Sequence, residues 1–91
     1  MSTAVPTDVP IRIAPGFRLQ WEEAQNAHVL LYPEGLVRLS ESAHQILSRC
    51  DGSTLDDVVA ALEAAFPGVD LRADVVEFVT DAKSKGWIRI G

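Results

Sequence analysis

Ninety-one residues, 47% of them hydrophobic and 23% charged, describe one small domain with no room for a second; a chain of this size buries roughly 60–65% of its unfolded surface, enough for a single core. A formal charge of -5 at pH 7 sets the chain against phosphate backbones, so no nucleic acid is expected as a partner and a protein or peptide is favoured. One cysteine, Cys50, allows no intrachain disulfide, Met1 to Val9 carries no signal-peptide pattern, and no apolar run could cross a bilayer, which points to the cytoplasm without membrane contact.

In chain order, residues 1–15 contain Pro6, Pro10 and Pro15 among small polar residues and read as a loose arm, with 16–91 as the folded domain. Within the arm, Ile11 and Ile13 are the positions able to dock. Phe17 to Trp21 alternates strictly, placing Phe17, Leu19 and Trp21 on one face of a first strand and Arg18 and Gln20 on the other. A loop over 22–27 leads into a hairpin centred on Tyr32-Pro33-Glu34-Gly35. Pro33 presets φ for the first corner and Gly35 can turn left-handed, which predicts a three-residue loop with a bulge. That loop sets Tyr32 opposite Leu36, Leu31 opposite Val37, Leu30 opposite Arg38 and Val29 opposite Leu39, so that Val29, Leu31, Val37 and Leu39 share one apolar face. The third strand, Leu36 to Leu39, is then a sheet edge.

From Ser40 the apolar period lengthens to that of a helix, with Ser40 as its N-cap and Ala43, Ile46, Leu47 and Cys50 as its buried stripe. Asp51-Gly52 ends it. Ser53 or Thr54 caps a second helix, with Asp56 and Asp57 in its first turn and Leu55, Val58, Val59, Leu62, Ala65 and Phe66 as its apolar face. After Pro67-Gly68, Asp70 caps a third helix carrying Leu71, Val75, Phe78, Val79 and Ala82 at helical spacing, and Gly86 terminates it. Trp87 to Ile90 either adds a short strand or pins Trp87 to the core. The expected class is α+β, a three-stranded antiparallel β-meander followed by a three-helix bundle, an order resembling a winged helix-turn-helix arrangement. A winged-helix nucleic-acid-binding or regulatory module is the alternative that such a fold admits.

Catalytic chemistry finds little support. His28, His44 and Cys50 lack metal-ligand spacing, and Cys50 fits a buried structural thiol, with His44 on the solvated side of its helix. Ser42 and His44 are two apart and do not face each other on a helix, which disfavours a nucleophile with Asp51. Asp56 and Asp57 stabilise a helix dipole without any catalytic role, and the glycines serve turns and caps rather than a phosphate cradle. A carrier protein would need an attachment serine that Asp51-Gly52-Ser53-Thr54-Leu55 does not supply. No catalytic residue, cofactor or metal is expected.

Interaction surfaces carry more. As a DNA-recognition helix the third helix is poorly charged, setting Asp74, Glu77 and Asp81 against Arg72, Lys83 and Lys85. Lys83, Lys85 and Arg89 complement a helix C-terminus. The edge strand Leu36-Val37-Arg38-Leu39 could instead accept an extended peptide, with Val76, Val79, Thr80 and Lys83 of the third helix as the opposing wall. Val76 suggests this because it flanks a stripe that is already sufficient. Pattern alone leaves that reading level with an edge covered by the N-terminal arm or by a second copy.

The run Arg18-Leu19-x-Trp21, Leu30-Leu31-Tyr32-Pro33-Glu34-Gly35, Leu39, Ala43, Ile46-Leu47, Cys50-Asp51-Gly52, Phe66-Pro67, Asp74-Val75 and Gly86-Trp87 resembles the pyrroloquinoline quinone (PQQ) synthesis protein D family, from about Ile13 to Ile90. The resemblance implies a non-catalytic peptide chaperone, a recognition element for a ribosomal (RiPP) precursor peptide. It would bind the PQQ precursor peptide at Leu36 to Leu39 against the third helix and present it to a radical S-adenosylmethionine (SAM) enzyme that crosslinks a Glu and a Tyr of the peptide. On this expectation Val37→Pro abolishes the added strand. Whether the protein is a monomer or a homodimer is left open by the sequence.

Overall fold

The computed structural model describes residues 6–91. Its elements are β1 (Ile11–Ile13), β2 (Arg18–Glu22), β3 (Ala27–Tyr32), β4 (Gly35–Arg38), α1 (Glu41–Leu47), α2 (Leu55–Ala65), α3 (Arg72–Ser84) and β5 (Ile88–Ile90). The α+β class and the meander followed by three helices are as expected: β2, β3 and β4 form an antiparallel sheet in that order, with β4 at one edge. A second, two-stranded ribbon pairs β1 with β5.

That ribbon revises the expected loose arm, of which residues 1–5 lie outside the described residues. Ile11 is fully buried in the main core and pairs with Ile90, while its backbone exchanges bonds with the α1–α2 connection, Ile11 N–H to the Ser53 carbonyl and Gly52 N–H to the Ile11 carbonyl. Prolines at 10 and 15 bracket this strand rather than prevent it, because a three-residue strand needs no amide from either.

Helix boundaries follow their caps. Ser40 Oγ accepts from Ala43 N–H and Thr54 Oγ1 from Asp57 N–H. Asp70 is not the N-cap of α3; Leu71 holds that position with no side-chain cap bond, and the Asp70 carboxylate accepts from Arg72 N–H one residue further on. At the other end Gly86 has φ 79°, and the bonds Trp87 N–H to Ala82 C=O and Gly86 N–H to Lys83 C=O close a Schellman motif. Both bonds need the left-handed residue that glycine supplies at low cost.

Ile46, Leu47 and Cys50 after α1, Leu55, Val58, Val59 and Leu62 of α2, and Val75, Val79 and Ala82 of α3 meet Ile11 and Ile88 in one core. Phe66, expected on the buried face of α2, is 45% exposed, since the helix ends at Ala65 and the chain leaves its axis there.

Candidate functional site

The β3–β4 hairpin differs from expectation by one residue. Tyr32 pairs with Gly35, Leu31 with Leu36, Leu30 with Val37 and Val29 with Arg38, around a two-residue turn of Pro33 and Glu34. Neither turn residue has positive φ, so Pro33 and Glu34 make the corner themselves and no bulge is inserted. Because side chains alternate, the slip moves Val37 and Leu39 to the face opposite Val29 and Leu31. Leu39 packs on the core and His28, on the same face, stacks on His44 of α1, so this face, with Leu19, Leu30 and Val37, meets the helices. Leu36 and Arg38 point away from them.

The same register assigns the backbone groups of the edge. Leu39 N–H donates to the His28 carbonyl at 2.9 Å, and strict alternation then turns the amides and carbonyls of Val37 and Gly35 toward β3. The N–H and C=O of Leu36 and Arg38 face outward on the free side of β4, where no strand is paired among the described residues. Thus Val37→Pro would cut the hairpin rather than a guest strand.

On α3 the wall expected from sequence is divided. Val79 is fully buried and closed to a guest; Val76 is half-buried and packs on the core; Thr80 and Lys83 are exposed. At 100° per residue, Val76, Thr80 and Lys83 occupy one flank of the buried stripe, and Asp74, Phe78 and Asp81 the other. That second flank faces α1: a cleft of about 560 Å³ is lined by Ser42 and Ile46 of α1 with Asp74, Glu77, Phe78 and Asp81. α1 begins three residues after β4 ends, so this flank of α3 shares its cleft with the element that follows the edge strand in the chain. The sequence signal for it was the charged pattern Asp74, Glu77, Asp81 interrupted by Phe78.

Other candidates resolve into structure. Cys50 is buried, its thiol donating to the Ile46 carbonyl at 3.3 Å, and burial, aided by the Asp51 charge, pushes its pKa up to about 12. A group of that acidity is neither a nucleophile nor a ligand at neutral pH. His44 does not lie on a solvated side: its ring stacks on His28 at a centroid distance of 3.5 Å and 8° between planes, with Trp21 edge-on to His28 at 5.0 Å. Its Nδ1 is buried without a hydrogen-bond partner among the described residues. Burial, then the charge of His28, hold the His44 pKa below its ordinary value, with Glu41 opposing and Arg49 assisting. Among the described residues no group of three or more His, Cys, Asp or Glu side chains could hold a metal ion. Asp56 pairs with Arg72 at 2.8 Å on the surface, and Lys85 pairs with Asp81 at 2.9 Å while lying 4.9 Å over the Trp87 ring.

The fold and this site define an α+β domain in which, among the described residues, the outer edge of β4 is unpaired and α1 and α3 enclose an acidic cleft. A solved structure shares this fold over nearly its whole length: the solution NMR structure of the PqqD truncation of Methylobacterium extorquens PqqCD, described as a functional and stand-alone RiPP recognition element, aligns at a TM-score of 0.74 and 28% identity over 96% of each chain. The family model for coenzyme PQQ synthesis protein D matches residues 27–88. Similar proteins include the PqqA binding protein of Azotobacter vinelandii, 47% identical over 99% of both chains, and that of Acinetobacter baylyi, 52% identical over 80% of this chain and 76% of the relative. The chain belongs to the coenzyme PQQ synthesis protein D family.

Proposed function

We propose that this protein is a non-catalytic recognition element of PQQ biosynthesis that binds the precursor peptide PqqA as an added strand along β4. The observation that carries the reading is the edge itself: the outward N–H and C=O groups of Leu36 and Arg38 offer main-chain bonds to an extended guest, and alternate guest side chains then point toward α1 and α3. Relatives named PqqA binding proteins supply the identity of the guest. Of the residues expected from sequence, Leu36, Val37, Arg38 and Leu39 stay in the site; on α3 the wall is the flank with Asp74, Glu77 and Phe78, in place of Val76, Thr80 and Lys83, with Val79 beneath it in the core.

The role is positioning. A peptide held in one extended conformation and delivered to a radical SAM enzyme reacts at a raised effective concentration, so the chaperone contributes to the reaction without touching the bond that forms. Ordering the guest costs entropy, which places the affinity in a few anchors rather than in area. An amide-resolved NMR titration with synthetic PqqA tests this. Shifts concentrated at Leu36 to Leu39 and on α1 and α3 support it, and a spectrum in which those amides stay still while others move refutes the edge as the site.

A further inference from the structure

The cleft beside α3 does not end at Asp74. A second cavity of about 450 Å³ shares Ser42, Ile46 and Asp74 with it and continues between α1, the end of α2 and the start of α3. Its floor is apolar, with Leu62 and Val75 from the core, and its far rim carries Phe66 and Val69, 45% and 50% exposed. The ionisable side chains lining the two cavities are all acidic: Glu41, Asp74, Glu77 and Asp81. Asp81 is paired with Lys85, and among the described residues Glu41, Asp74 and Glu77 have no basic side chain within 4.0 Å.

We infer that this trough holds the part of the guest peptide contiguous with its strand-paired segment, and that it selects a large apolar side chain flanked by a cationic one. The inference rests on strand addition at β4 and adds to it the chemistry of what is recognised. Continuity argues for the same guest: Glu41 and Ser42, which line the trough, follow the last residue of β4 by three and four positions, a span of at most about 10–15 Å, within reach of a peptide that extends past the edge. Charge argues for the composition. An apolar residue on the Leu62 and Val75 floor removes Phe66 and Val69 from water, while Asp74 and Glu77 at its lip would face a Lys or Arg, and repel an acidic neighbour.

The test uses the whole protein and synthetic PqqA, read by fluorescence anisotropy with circular dichroism as a folding control. Val69→Asp and Phe66→Asp change half-exposed residues and leave the fold intact; each is expected to weaken binding about tenfold or more, as loss of an apolar anchor does. Asp74→Asn with Glu77→Gln is expected to weaken it roughly three- to tenfold at low salt, with the difference closing near 0.5 M salt as screening takes over. A PqqA variant with its Lys and Arg changed to Gln should lose the same factor and be indifferent to the acidic-lip changes. Arg38→Pro, which strips an outward amide from the edge, is run in parallel. Binding lost with Arg38→Pro but unchanged in every trough variant overturns this inference and leaves strand addition standing. Binding lost in the trough variants but unchanged in Arg38→Pro overturns strand addition, and with it the contiguity inferred here.

Discussion

Val37 and Arg38 are adjacent on one strand, yet proline should do opposite things at the two positions. The Val37 amide faces β3 and bonds the Leu30 carbonyl, and Leu30 is fully buried. Val37→Pro loses a bond worth about 1 kcal/mol and leaves that carbonyl dry, at a further cost of about 1–3 kcal/mol, so about 2–4 kcal/mol in all. For a domain of this size that lowers Tm by roughly 10–25 °C. The Arg38 amide faces outward and Val37 already has the extended conformation that a following proline prefers, so Arg38→Pro should cost under about 1 kcal/mol of stability. Its effect falls on binding: one guest bond and one unsatisfied guest carbonyl, about 1.5–3 kcal/mol, or roughly 10- to 100-fold in Kd. Arg38→Ala separates the side-chain contribution. Thermal melts and anisotropy with PqqA read both halves. A stable Val37→Pro together with an unfolded Arg38→Pro would refute the register and the assignment of the free edge with it.

Further outcomes follow from the core and its titratable groups. Ile11→Ala should cost about 2–4 kcal/mol, the range for truncating a fully buried isoleucine, and a shift in denaturant midpoint checks that the N-terminal strand is part of the domain. His44 titrates below its ordinary value of 6.5 in the folded chain. The unfolded chain therefore binds the proton first, and stability should fall as pH drops below about 6.5; in melts between pH 8 and 5, His44→Gln should remove that component of the slope. Cys50 should resist thiol reagents at pH 8 in the folded protein and react fully in denaturant, because a thiol with a pKa of about 12 is almost wholly protonated there and is also buried.

Most of the fold was legible because its signals are local and agree with one another. Ser40 and Thr54 cap their helices, the stripes of α1 to α3 sit at helical spacing, and Gly86 ends α3. What escaped depends on contacts distant in sequence. Ile11 to Ile13 is too short to declare itself as a strand without Ile88 to Ile90 beside it. His28 and His44 belong to elements whose relative placement no local pattern encodes. The hairpin register failed for a subtler reason: Gly35 fits both a three-residue bulged loop and the first paired residue after a Pro33-Glu34 corner, and only the strand that follows distinguishes them.

That single-residue slip leaves the candidate site in place while changing what it can do. An edge strand is an edge in either register, so Leu36 to Leu39 could be picked from sequence without knowing which residue faces where. Function depends on the finer fact. In the observed register Val37 and Leu39 support the helix-facing side of the sheet, and Leu36 and Arg38 give their backbone groups to the free edge. Leu39, which packs on the core, and Val37 on the same face are thereby separated from the two positions that would meet a guest. This division lets a small domain keep an unpaired edge: the strand is anchored by alternate side chains and leaves the intervening amides free, so the proposed guest would bind and leave without disturbing the core.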